Sequence, residues 1–243
     1  MNTARRIAAP PGTGLRSRSG DLEWRVSGGG AERFPDLAAE LVRLKVDVIV
    51  ATDNPAIAAA QKATKTIPIV MSVVLDPVGS GLATSLARPQ GNITGTSMMA
   101  PDIVGKQLQV LKEVVPNVSR VAVLWNPANP GSAPQLREAE AAARALRVQL
   151  QVLEARVPKE IDSAFATMTR ERAGALVILA DAIFTNQRRQ IAELAMRRHL
   201  PSVYGVREYA EAGGLIAYGA DSLDLERRST AFVSWPRSSI HGC

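Results

Sequence analysis

The stretch that most constrains how this 243-residue chain can fold is Ile67-Pro68-Ile69-Val70-Met71-Ser72-Val73-Val74. It is a near-continuous apolar run rich in β-branched residues, and such a run fits a strand buried on both faces, as in a parallel sheet flanked by helices. Asp76-Pro77 breaks it, Gly79 and Gly81 loosen the turn, and Leu82, Leu86 and Ala87 resume at helical spacing before Pro89-Gln90-Gly91-Asn92. Ile93-Thr94-Gly95-Thr96 reads as the next strand. A strand that delivers a polar, glycine-bearing loop onto a helix is how open α/β sheets build ligand crevices.

The same alternation recurs along the chain. Leu22 to Val26 alternates like a strand, a helix follows from about Phe34 to Lys45, and Val46 to Ala51 is a buried strand. Thr52-Asp53-Asn54-Pro55 carries helix-capping chemistry ahead of a helix over Ala56 to Lys65. A helix over Pro101 to Val115 stops at Pro116. The pattern then restarts with strand Arg120 to Trp125, helix Ser132 to Leu146, strand Val148 to Leu153, helix Glu160 to Arg172 and strand Ala175 to Ala180. Helix Asn186 to Arg198, strand Ser202 to Tyr204, short helix Arg207 to Ala212, strand Leu215 to Tyr218 and a helix from about Leu223 complete the set.

Two α/β units with doubly wound parallel sheets are therefore expected, joined by a hinge near Pro116 to Ser119. The expected division is a non-family tail over 1–20, an N-terminal lobe over 21–116, a C-terminal lobe over 117–220, and a partial return helix with a second tail over 221–243. Two lobes imply a cleft between them.

Several function classes fit poorly. The formal charge of +6 is spread over helices through arginines such as Arg137, Arg144 and Arg147, a pattern of solvated surface more than of a nucleic-acid footprint. The single cysteine, Cys243, excludes an internal disulfide and a multi-cysteine metal site. No P-loop lysine motif, G-x-S-x-G elbow or H-E-x-x-H occurs, and the Gly79-Ser80-Gly81 turn has Thr84 where a dinucleotide fingerprint needs its third glycine. Neither a metal nor a cofactor is expected. An enzyme on a doubly wound sheet stands as the alternative reading. A two-lobe gene regulator would need a helix-turn-helix that residues 1–20, rich in glycine and proline, are too short to supply.

Binding of a small molecule fits better. Parallel topology would gather the polar residues at the strand ends on one rim: Thr52 and Asn54, Asp76, Thr94, Asn126, Asp181, and Tyr204 with Glu208. Helix N-termini beside them suit a carboxylate, while Asp76 or Asp181 could hold an ammonium. Trp125, Phe184, Tyr204 and Tyr218 could form an aromatic wall. Each has a plainer role open to it: Asn54 and Asp76 as helix caps, Trp125 as core, Asp181 as the end of its strand.

Four ordered segments carry a specific resemblance: FPDLAAELVRLKVDVIVA from Phe34, DPVGSGLATSLARPQGNITG from Asp76, RVAVLWNPAN from Arg120 and YGVREYAEAGGLIAYG from Tyr204. Over about Asp21 to Val233 the chain resembles the ABC-transporter substrate-binding proteins that include tryptophan and tyrosine binders. The resemblance implies a type I periplasmic-binding-protein fold, two lobes closing on a small ligand such as an amino acid, and a membrane permease as partner. By matching motif it implies ligand contacts at Thr52, Asn54, Asp76, Thr94, Asn126, Asp181, Tyr204 and Glu208. It also implies a periplasmic location, whereas residues 1–20, read without a recognisable export signal, lead to the expectation that the chain stays where it is made. Both ends depart from the family pattern. The first strand of lobe 1 has no counterpart, so a degraded or fragmentary member with impaired stability and binding is expected.

Overall fold

The computed structural model describes Glu23, Arg25, residues 31–89 and residues 91–233. Residues 1–20, Leu22, Trp24, Val26 and the tail from 234 lie outside that set, so the expected strand over Leu22 to Val26 is not described as a whole. Arg25 itself forms an ion pair, its Nη2 donating to Glu40 Oε1 at 2.6 Å. The chain divides into two compact units, one of residues up to Met98 together with those from Ser222, the other Met99–Asp221.

The first unit holds α1 (Phe34–Arg43), β1 (Ile49–Thr52), α2 (Asn54–Ala63), β2 (Ile69–Val74) and β3 (Ile93–Ser97). Its sheet is parallel, in the order β1-β2-β3. The apolar run forms the central β2, whose Ile69, Val70 and Val74 are buried as expected of a strand covered on both faces. One core gathers Leu41, Ile49, Ile57, Ile69, Met71 and Leu82.

Two backbone features shape this sheet. The register passes from Met71 opposite Gly95 to Val74 opposite Ser97, so β2 carries one residue more than β3 and bulges, with Val73 at φ 54°. A β-branched residue in the left-handed region costs roughly 1–3 kcal/mol. Gly95, at φ 143°, lies so close to β2 that a Cβ there would stand 2.1 Å from the Met71 carbonyl oxygen. Only glycine fits that approach.

The expected helix from Leu82 to Ala87 does not form. Pro77 to Arg88 is a succession of turns: the Ser80 amide and hydroxyl both donate to the Asp76 carbonyl, and the Leu82 and Ala83 amides both donate to the Pro77 carbonyl. Gly81 at φ 73° turns the chain back, and the Thr84 and Ser85 hydroxyls bond to the Arg88 carbonyl. Local hydrogen bonding thus outweighs a short apolar period. Leu82 is buried whereas Leu86 is exposed, so the two do not share a buried helical face.

The second unit holds α3 (Ala100–Val114), β4 (Arg120–Trp125), α4 (Ser132–Leu146), β5 (Gln149–Glu154), α5 (Ile161–Arg170), β6 (Ala175–Ile178), α6 (Ala182–Asn186), α7 (Arg188–Arg197), β7 (Ser202–Tyr204), α8 (Glu208–Glu211) and β8 (Ile216–Ala217). All five strands are parallel, in the order β5-β4-β6-β7-β8. Its core includes Val104, Leu108, Leu111, Val121, Val123, Val177 and Val203.

Two expectations are corrected here. The helix placed at the end of the first lobe, α3, belongs to the second unit, because its buried face packs on α4, β6 and β7; the boundary falls after Met98, ahead of the expected joint at 116–119. The helix expected over Asn186 to Arg198 starts earlier and divides at Gln187 into α6 and α7, because Asp181 caps α6 through the Ile183 amide. The final helix, α9 (Ser222–Val233), returns to the first unit and packs on β2 and β3.

Candidate functional site

In the first unit the polar residues gather after β1 and β2. Asn54, fully buried at the start of α2, accepts from the Leu75 amide at 3.0 Å and donates through Nδ2 to Ser80 Oγ at 2.9 Å. Asp53, at φ 71°, accepts the Asn54 amide on Oδ1 and sets the entry to α2. Asp76 is half-buried and accepts the Gly79 amide at 2.8 Å, folding the polar loop over itself. Asn54, Ser80 and Asp76 therefore form one connected group, and both side-chain ends of Asn54 are spent holding it together.

Thr52 ends β1 opposite Ser72, adjacent to that group and half-buried. Thr94 is not brought to the same end. It pairs with Val70, two positions earlier on β2 than Ser72, so it sits early in β3.

In the second unit the order β5-β4-β6-β7 places the switch point of the sheet between β4 and β6, since the chain leaves β4 for β5 on one side and leaves β6 for β7 on the other. Asn126 follows β4 and Asp181 follows β6, and the two meet there: Asn126 Nδ2 donates to Asp181 Oδ2 at 3.1 Å. Asn129 donates to the same oxygen at 2.8 Å, and the Ile183 amide donates to Oδ1 at 2.8 Å. Burial pushes the Asp181 carboxyl above the usual carboxylate range, partly offset by these three hydrogen bonds. Gln135, in the first turn of α4, adds a second tie: its Oε1 accepts the Ala180 amide at 3.0 Å and its Nε2 donates to the Ala180 carbonyl at 3.1 Å.

Sequence reasoning missed Asn129, Gln135 and Ser80. The N-P-A-N spacing places Asn129 one turn beyond Asn126, which was a usable signal; nothing local marks Gln135.

Tyr204 is a core residue. Its ring is fully buried and stacks on Tyr209 at 4.2 Å between centroids, and its hydroxyl accepts from Ser202 Oγ at 2.8 Å. Burial raises both tyrosine hydroxyls, Tyr209 well above its ordinary value. Glu208 opens α8 and is half-buried. Of the aromatic candidates, Phe184 is wholly buried, Trp125 packs against the core from its half-buried position, and Tyr218 is exposed. Among the described residues no group of three His, Cys, Asp or Glu side chains could hold a metal ion, and no helix is long and apolar enough to cross a membrane.

Comparison with known proteins adds an independent line. The tyrosine-binding protein of Clostridioides difficile is 26% identical over 185 residues, which are 76% of this chain and 53% of that protein, so the chain spans about half the length of this relative. An ABC domain from Streptococcus pneumoniae solved with L-Trp superposes with a TM-score of 0.87 at 21% identity, covering 100% of this chain and 86% of that one. A leucine-binding protein from Thermotoga maritima superposes at 0.59 with 13% identity, covering 81% and 56% of the two chains. These likenesses agree with a type I periplasmic-binding-protein fold. The family model described as ABC transporter substrate binding protein matches residues 19–234, and the chain belongs to that family.

Proposed function

We propose that this chain captures a small carboxylate, an amino acid with an aromatic side chain, and hands it to the permease of an ABC transporter outside the inner membrane. The observation that carries the reading is the family match over residues 19–234. The ligands named for similar proteins support the chemistry: tyrosine for the curated relative, and L-Trp, benzoate and 3,4-dihydroxybenzoic acid for solved structures. Each of these pairs an aromatic ring with a carboxylate, and the leucine of the Thermotoga maritima protein keeps the carboxylate without the ring.

The rim residues divide by exposure. Thr52, Asp76 and Glu208 keep accessible surface and are the candidates for direct contact, Thr94 is set back along its strand, and the buried Asn54, Asn126, Asp181 and Tyr204 shape what the contact residues stand on. Thermal shift of the purified protein against a panel of amino acids and aromatic acids tests the reading. A ligand at about 100 times its Kd should raise Tm by roughly 5 °C or more. Absence of any stabilising member would refute it.

A further inference from the structure

A doubly wound sheet with this strand order admits ligands in the crevice outside β4 and β6. Here that crevice is spanned by the chain's own side chains. Asn126, Asn129, Gln135 and Asp181 are each at most 5% exposed. Asp181 receives three donors, from Asn126, Asn129 and the Ile183 amide. Both asparagines are spent at their other ends: Asn126 Oδ1 accepts the Ala128 amide and Asn129 Oδ1 accepts the Gly131 amide, each at 3.0 Å.

A carboxylate offers about four acceptor sites. With three filled and almost no exposed surface, Asp181 has little left for an ammonium group, and Asn129, 2% exposed with its amide nitrogen bonded to Asp181, offers almost no surface to a carboxylate.

We propose that Asp181 and Asn129 are positioning residues, which lock the β4–α4 loop against the start of α6 so that the rim of the second unit meets its ligand in one fixed shape. This rests on the solute-binding reading above. The amide–carboxylate pairing is directional: an amide at 181 has one acceptor oxygen in place of two, so its NH2 must face either the donors of Asn126 and Asn129 or the Ile183 amide, whereas exchanging the two residue types keeps one donor facing one acceptor.

Hydrogen exchange on the full chain tests the lock without a ligand. N129A should speed exchange at the Ala128, Gly131 and Ile183 amides by about tenfold, the loss of one buried hydrogen bond, while β4 stays protected. N129S, which keeps an acceptor for the Gly131 amide, replaces it if N129A does not fold. The double exchange N129D/D181N should recover part of the protection that D181N alone loses. Unchanged exchange at those amides, or no recovery in the double variant, would overturn the proposal.

A binding arm separates positioning from direct contact, with L-tyrosine and its deaminated analogue 3-(4-hydroxyphenyl)propionate as probes. Positioning predicts that D181N weakens both by the same factor. A loss confined to L-tyrosine would mean that Asp181 touches the ammonium and would overturn the proposal. Wild-type protein that binds neither probe would count against the proposed function, and the exchange experiment would then decide the positioning role by itself.

Discussion

The hydroxyl of Ser229 on α9 lies 3.1 Å from the hydroxyl of Ser72 on β2, across 157 residues of chain. Both are nearly inaccessible to solvent, and Ser229 also donates to the Glu226 carbonyl at 2.7 Å. The pair is a buried polar contact between the returning helix and the sheet, joined by a bond from Thr96 Oγ1 to the Leu225 carbonyl at 3.5 Å, and it helps fix where that helix sits. Removing one hydroxyl leaves the other buried with fewer partners. We expect S229A or S72A each to cost about 1–2 kcal/mol in urea unfolding. The double variant should cost less than the sum, by a double-mutant cycle.

Gly95 gives the sharpest backbone prediction. G95A forces a Cβ against the Met71 carbonyl and strains a positive φ, so a loss of at least about 2 kcal/mol is expected. Gly91, also at positive φ but with open space around it, should lose only about 1 kcal/mol on the same change. Equal losses at the two positions would show that the close approach of β3 to β2 is wrong.

The turns over Pro77 to Arg88 predict unequal leucines. L82A removes a core side chain and should cost about 2–4 kcal/mol, whereas L86A, at an exposed position, should stay within about 0.5 kcal/mol. A helix with both leucines on its buried face would make the two losses similar.

Buried Tyr209 predicts an alkaline instability. Its hydroxyl titrates well above the ordinary value in the folded chain, because burial disfavours the phenolate. The unfolded chain therefore releases that proton first, at about pH 10. Stability from this group is whole below pH 10 and falls as pH rises, by up to about 1.4 kcal/mol per pH unit. Y209F should flatten the loss measured by denaturant unfolding between pH 9 and 11.

Asp181 acts in the acid range with the same sign. Its folded value is raised, so its contribution is complete below the ordinary carboxylate range and declines as pH climbs through the folded value. D181N should remove this component from the stability–pH curve, and an unchanged curve would mean that the carboxyl is not held above its ordinary value.

Much of the fold was legible along the chain. β4 and α4 occupy the residues that their apolar patterns indicate, and the buried run at Ile69 to Val74 is a central parallel strand. What failed was short or cooperative. Leu82, Leu86 and Ala87 imitate a helical period over too few residues to outweigh turn hydrogen bonds, and α3 could be assigned to a unit only once its packing partners were known. Of the rim candidates, Asn126 and Asp181 meet, Asn54 joins Asp76 through Ser80, Thr94 stands apart by register, and Tyr204 turns into the core.

The amino-acid order by itself determined the alternation of strands and helices, the parallel character of the sheets and the family, since all of these are written in local periodicity and ordered motifs. Tertiary structure alone decided which polar side chains are accessible and which are consumed as internal partners. Asn126 and Asn129 reach Asp181 across 55 and 52 residues, and that meeting depends on a crossover that sets β6 beside β4. Periodicity reports the face of an element; hydrogen bonding depends on which element lies opposite, and that is settled only when the sheet closes.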